Sequence, residues 1–178
     1  MTVDLTVDAV LVGRPVAFGP NGEPSGIHKS SCAGPVSVTE TGLDEADVCI
    51  GDVFDLGTAR VQVAQGRQPC WRLNVRFGRK DMAWRVQATG RTGWYYRVLV
   101  PGEVAPGDRL FLVHRPNPAW PLTMLLDVLY RDTLNAEALA AVKELPDLAE
   151  SWRALAHTRL KRQEVEDWTR RLTTPERH

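Results

Sequence analysis

The residue best suited to chemistry stands in Arg67-Gln68-Pro69-Cys70-Trp71-Arg72. Pro69 is read as opening a short helix, which places Cys70 at a loop-to-helix junction. Unpaired backbone N–H groups at such a junction, with Arg67 and Arg72 nearby, favour a thiolate over a thiol. A thiolate serves as a nucleophile or as a ligand to a soft metal. The competing reading is a packed structural cysteine, because free cysteines are usually buried. Cys49, between Val48 and Ile50, fits that structural role, and Cys32 lies in the loop Ser30-Ser31-Cys32-Ala33-Gly34-Pro35 without an obvious partner.

Two other constellations suit anions. In Gly22-Glu23-Pro24-Ser25-Gly26-Ile27-His28-Lys29, Ser25 and Lys29 have the chemistry to hold a phosphate, and Gly26 allows close backbone approach. A hairpin with a solvated lysine reads the same way. In Gly90-Arg91-Thr92-Gly93-Trp94-Tyr95-Tyr96-Arg97, paired arginines beside an aromatic run suit an anionic ring ligand. The alternative is a turn leading into an edge strand whose aromatics pack on the core. Basic and aromatic residues also interleave from Arg67 to Arg85, a pattern found on nucleic-acid surfaces. Helical spacing of these aromatics favours core packing beneath a solvated basic face.

The chain has 178 residues, with 22 basic and 22 acidic side chains that balance to zero. This neutrality argues against a protein that coats nucleic acid or an anionic membrane. No apolar run reaches the length of a membrane-spanning helix. The start, Met1-Thr2-Val3-Asp4-Leu5, lacks the basic and apolar regions of a secretory signal, so a cytoplasmic location is expected. Three cysteines without a C-x-x-C pair, and four scattered histidines, form neither a disulfide framework nor a metal-ligand spacing.

Short strands punctuated by Gly and Pro must position these residues. Strands are expected at Val7 to Val12, Val53 to Leu56, Arg60 to Ala64, Trp94 to Val100 and Arg109 to Val113, with a turn at Phe18 to Gly22. Gly51-Asp52 and Gly107-Asp108 each release an apolar strand, a repetition suited to a small β-barrel. Two short helices interrupt, one from Pro69 to Arg76 closed by Gly78, the other capped by Asp81 and ending at Gly90. Beyond Pro118 the period becomes helical: Leu122, Leu125, Leu126 and Leu129 form one stripe. Asn135 is read as a cap, and Asp147 to Glu150 as a capping box. Val165, Trp168 and Leu172 continue the pattern in one helix or two. This helical part is expected to be a satellite of the β region.

Taken together, Arg67 to Asn74, Gly90 to Leu99 and Pro106-Gly107-Asp108 resemble the MOSC domain family, named for the C-terminal domain of molybdenum cofactor sulfurases. Within it the chain resembles the YiiM-like branch. Pro24 to Lys29 and Gly34-Pro35-Val36 match that branch near its N-terminus, and the leucine-rich tail resembles its C-terminal helical extension. The resemblance implies a mainly β fold: a MOSC-type β-barrel with short inserted helices over 1–116, then a small helical bundle over 117–178. It implies a molybdenum–molybdopterin cofactor, with Cys70 as catalytic residue and metal ligand. Lys29, Arg67, Arg91 and Arg97 would surround the pterin and its phosphate, Ser25 would join this cofactor-binding set, and Asn74 and Tyr95 would support the pocket. Pyridoxal phosphate binding is a label attached to the family as a whole.

The activity implied is reduction of N-hydroxylated compounds, such as N-hydroxylated purine bases, to amines, with electrons from a donor protein. No nucleic acid or membrane is expected as a partner, and homodimer formation is left open. A cofactor-binding or sulfur-carrier protein without reductase turnover, and a scaffold that has lost the metal, are the rival readings. In the family a long segment with His-Gly-Gly and Gly-Glu-Asn motifs follows the Gly-Pro-Val strand; here only Ser37 to Thr41 lies between Val36 and Gly42.

Overall fold

The computed structural model describes residues 4–12, 16–17, 24–25, 36–40 and 42–175, with side chains described for 5–7 and 42–175. The expected turn at Phe18 to Gly22, together with Lys29 and Cys32, lies outside the described residues.

β-branched and aromatic residues recur along the longer strands, as half-buried pleated surfaces favour. These are β1 (Asp4–Val12), β2 (Val16–Ala17), β3 (Pro24–Ser25), β4 (Val36–Glu40), β5 (Val53–Leu56) and β6 (Ala59–Gly66). Helices α1 (Arg72–Phe77) and α2 (Met82–Thr89) follow, then β7 (Trp94–Val100) and β8 (Arg109–His114). The C-terminal part holds α3 (Leu122–Tyr130), α4 (Ala136–Lys143), α5 (Glu150–Arg162) and α6 (Thr169–Leu172). Six strands form one antiparallel sheet in the order β4-β1-β8-β5-β6-β7, and β2 pairs with β3. The mainly β expectation holds, but the described strands do not close a barrel: β4 and β7 remain as edges.

The two Gly-Asp turns are the same device. Gly51 and Gly107 take positive φ, and each following aspartate accepts the backbone N–H three residues before it, Cys49 N–H to Asp52 and Ala105 N–H to Asp108. Gly51 cannot be replaced without strain. Its φ is +86°, and a Cβ there would stand 2.7 Å from Asp147 and Pro116.

The helical part is not a satellite. Phe54, Val61 and Val63 of the sheet share one buried cluster with Leu122, Leu125, Leu129, Leu139 and Trp152. The junction is stitched by backbone bonds from Ile50 N–H to Trp120 O and from Leu122 N–H to Val48 O. At Gly66 the missing side chain lets Leu126 and Trp152 approach within 3.2 Å of where a Cβ would sit.

Local details correct the expected caps. Asn135 does cap α4, accepting Ala138 N–H at 3.0 Å. Asp147 makes no capping box. Its carboxylate instead accepts from Gln62 and Asn117, and α5 begins with Ala149 as its cap residue. Those two amides hold Asp147 against the sheet, out of reach of the helix end. Asp81 stands at the start of α2 but spends its carboxylate on Arg79 and Arg85, which hold it at about 2. The chain turns at Gln163, in the left-handed region at φ 54°, so α5 and α6 are separate. Among the described residues no helix is long and apolar enough to cross a membrane.

Candidate functional site

Strand β6 delivers the chain to the Cys70 loop. Arg67 N–H donates to Gly93 O at 2.8 Å, so the Gln-Pro-Cys segment and the Gly-rich turn before β7 lie side by side. Pro69 is buried, Cys70 is half-buried and unpaired, and α1 starts only at Arg72. The helix therefore opens later than Pro69 suggests. The reason is a competitor from the C-terminus: Arg171 donates its guanidinium to Pro69 O, and Trp71 N–H donates to Arg171 O at 2.7 Å. One N–H expected to be free beside Cys70 is thus already used. Beyond the loop, Leu73 N–H donates to Cys70 O at 2.9 Å. Arg72 stacks on Trp71, 5.0 Å from the ring centre, and its buried Nε has no hydrogen-bond partner among the described residues.

Arg171 is held on several sides. Its second nitrogen donates to Gln87 Oε1 at 2.6 Å, and the guanidinium lies over the Tyr130 ring at 5.7 Å. Burial pulls Arg171 below the ordinary guanidinium value, while Tyr130, Glu166 and Cys70 act to raise it. The same burial pushes the Tyr130 hydroxyl up. Arg171, Tyr130 and Gln87 escape sequence reasoning because they meet Cys70's loop from positions far along the chain. The only signal was the helical spacing that marked Leu172 for burial, and Leu172 is fully buried.

The other sequence-selected residues are distributed rather than gathered. Asn74 is buried and its amide is committed: Nδ2 donates to Leu172 O at 2.8 Å and to Thr174, and Oδ1 accepts Ala83 N–H at 2.8 Å. It supplies the cap that Asp81 does not give α2. Arg91 is exposed and pairs with Asp44 at 2.9 Å, and the neighbouring Glu45 accepts Gly93 N–H. Arg97 donates to Gln62 at 2.7 Å, which in turn donates to Asp147, a chain leading away from Cys70. Tyr95 is 51% exposed on the edge strand, while Trp94 and Tyr96 pack against the core. Ser25 is described by its backbone in β3 only, and Lys29 not at all.

The aromatics between Arg67 and Arg85 are not packed as their spacing suggests. Phe77 and Trp84 are 57% and 42% exposed, and Trp84 meets the tail through Trp168 at 6.2 Å. Helices α1 and α2 are too short to bury a full stripe, and Leu73, Ala83 and Leu172 make only a small separate cluster.

This arrangement has known counterparts. The family model described as MOSC domain matches residues 36–111, and that described as YiiM-like, 3-alpha helix domain matches residues 120–163. The solved structure of YiiM from Geobacillus stearothermophilus superposes with a TM-score of 0.68 at 31% identity, over 90% of this chain and 85% of that one. The chain belongs to the YiiM-like branch of the MOSC domain family. It is 44% identical over 125 residues to the uncharacterized protein YflK of Bacillus subtilis, covering 70% of this chain and 57% of that protein. It is 32% identical over 136 residues to protein YiiM of Escherichia coli, covering 76% and 60%. A protein named Reductase from Gibberella moniliformis is 34% identical over 111 residues, covering 62% of this chain and 20% of that protein. The chain thus spans 57% and 60% of the length of its two bacterial relatives. The family is associated with molybdenum cofactor binding and oxidoreductase chemistry.

The residues around Cys70 fit such a group in kind. Among the described residues no three His, Cys, Asp or Glu side chains cluster to cage a metal. A metal at Cys70 would take one soft protein donor and draw its remaining ligands from a cofactor. The Arg72 Nε, without a hydrogen-bond partner among the described residues, and the Arg171 cation bonded to Pro69 O suit the anionic character of a molybdenum–molybdopterin group.

Proposed function

We propose that this chain is the cofactor-bearing part of a molybdenum-dependent oxidoreductase that reduces N-hydroxylated compounds, such as N-hydroxylated purine bases, to amines. The observation that carries the reading is Cys70: a free, half-buried thiol in a Gln-Pro-Cys loop fixed between β6 and the C-terminal tail. When bound, the cofactor supplies the two-electron couple needed to remove oxygen from N–OH. The chain's own work is to hold and to orient. Cys70 offers the sulfur ligand, while Arg72 and Arg171 balance negative charge at its flank. The backbone bond between Arg67 and Gly93 keeps the loop against the Gly-rich turn that carries Arg91. The substrate would be a small molecule, and electrons would come from a separate donor protein.

The test uses protein made in cells that synthesise the cofactor. Wild type, Cys70→Ser and Cys32→Ser are compared for molybdenum content and for reduction of an N-hydroxylated purine with a chemical electron donor. Cys70→Ser is expected to lose at least roughly 100-fold in activity and most of its metal, since a serine oxygen is a harder donor. Cys32→Ser should match wild type. Full metal and activity in Cys70→Ser would reject the ligand assignment. Metal without N–OH reduction in wild type would favour the carrier reading instead.

A further inference from the structure

Residues 164–175 lie beyond 163, where the match to the three-helix unit ends. They are nevertheless built into the Cys70 region. Leu172 is fully buried with Leu73 and Ala83, and its carbonyl accepts from Asn74 at 2.8 Å. Trp168 sits between Trp84 and Tyr130, at 6.2 and 6.0 Å between ring centres. Its indole N–H donates to Glu166, which also pairs with the buried Arg159. The tail is thus anchored before and after Arg171, which brackets Cys70 by bonding Pro69 O on one side and Trp71 N–H on the other.

We propose that Arg171 is a positioning residue of the Cys70 site, holding the Pro69 to Trp71 backbone from the C-terminal tail and setting a fixed positive charge beside the sulfur. A merely structural strap needs only the backbone carbonyl of Arg171 and the buried Leu172. The guanidinium adds two things that these do not. It fixes the loop at Pro69 O, and that same bond holds a half-buried cation one residue from Cys70, with Gln87 and the Tyr130 ring on its other sides. An anion approaching the sulfur, whether a cofactor phosphate or a charged reagent, meets this cation.

The proposal rests on Cys70 being the working residue, yet its test needs no molybdenum. In a Cys32→Ser background, Cys70 is alkylated in parallel with iodoacetate, an anion, and iodoacetamide, its neutral isostere. Cys49 is buried and its thiol is pushed up by that burial and by Asp52, so it stays silent. Arg171→Gln keeps a donor for Pro69 O but removes the charge, and the iodoacetate-to-iodoacetamide rate ratio should fall at least roughly threefold. Arg171→Lys, which keeps the charge, should restore the ratio. Leu172→Ala, which loosens the tail that carries the cation, should speed both reagents and lower the ratio toward that of Arg171→Gln. Thermal melts establish that each variant is folded before labelling. An unchanged ratio in folded Arg171→Gln overturns the proposal. So does a ratio that folded Arg171→Lys fails to restore, because the loss would then come from opening of the loop and not from the charge. If the wild type never holds molybdenum but the ratios behave as expected, the cofactor reading fails and the placement of Arg171 stands.

Discussion

Asn74 lies in the motif that led to the Cys70 site, and its side chain is entirely spent on structure. One amide ends the tail at Leu172 O and caps α2 through Ala83 N–H. Replacing it with alanine strands a buried donor and a buried acceptor together, which costs about 2–3 kcal/mol. Asn74→Ala should therefore lower the melting temperature of cofactor-free protein and weaken the near-ultraviolet dichroism of the Trp84, Trp168 and Tyr130 cluster. A residue that only touched cofactor would leave cofactor-free stability unchanged, so a melt identical to wild type would return Asn74 to the binding set. Residue type was legible in the sequence here, but its use was not. A buried asparagine serving two neighbouring elements and one serving a ligand share the same letters, and only the partner 98 positions away separates them.

At the scale of elements, period and turn chemistry proved sufficient for β1, β5, β6, β7 and β8 and for α3 and α4, but not for the short pair β2 and β3 or for β4. β5 and β7 run over the expected residues: β5 alternates partly buried and buried side chains, β7 is rich in aromatic and β-branched residues, and the turns beside them agree. Caps were less legible. Asp81 and Asp147 sit where capping carboxylates belong, but arginines and amides from other elements compete more strongly for them. The junction of α5 and α6 shows the same competition. Burial acts to raise Glu166, yet bonds from Arg159, its own backbone and Trp168 outweigh it, so the carboxyl titrates below its ordinary value of 4.5. A folded-state value below the unfolded one means the ion pair contributes fully above 4.5 and is lost as pH falls through the lower folded value. Acidification below pH 4.5 should therefore release the tail, read as faster iodoacetamide labelling of Cys70 relative to a free-thiol standard. Glu166→Gln should label faster already at neutral pH and lose that acid dependence. An acid response unchanged in Glu166→Gln would place the trigger elsewhere.

Among the described residues the sheet and the helices α3 to α5 share one main core, and β7 leaves a sheet edge unguarded. β7 carries Val98, Leu99 and Val100 at 60%, 44% and 50% exposure, with no lysine or proline to discourage pairing with another chain. Val98→Lys should raise soluble yield while changing stability by no more than about 0.5 kcal/mol, measured by denaturant unfolding. The opposite end of the design is the seam between sheet and helices. Leu122, Leu125, Leu129, Leu139, Val142 and Leu148 are each at most 1% exposed, in the same cluster as Phe54, Val61 and Val63. Full burial of each such side chain is worth roughly 1.5–3 kcal/mol, so six of them rival the roughly 5–15 kcal/mol that holds a whole domain together. The backbone bonds from Ile50 to Trp120 and from Leu122 to Val48 would go as well. A chain ended after Pro118 should therefore lack a cooperative melt and bind a hydrophobic dye, rather than persist as a folded but less soluble β domain. A sharp two-state transition in that shortened chain would show that the sheet carries its own core.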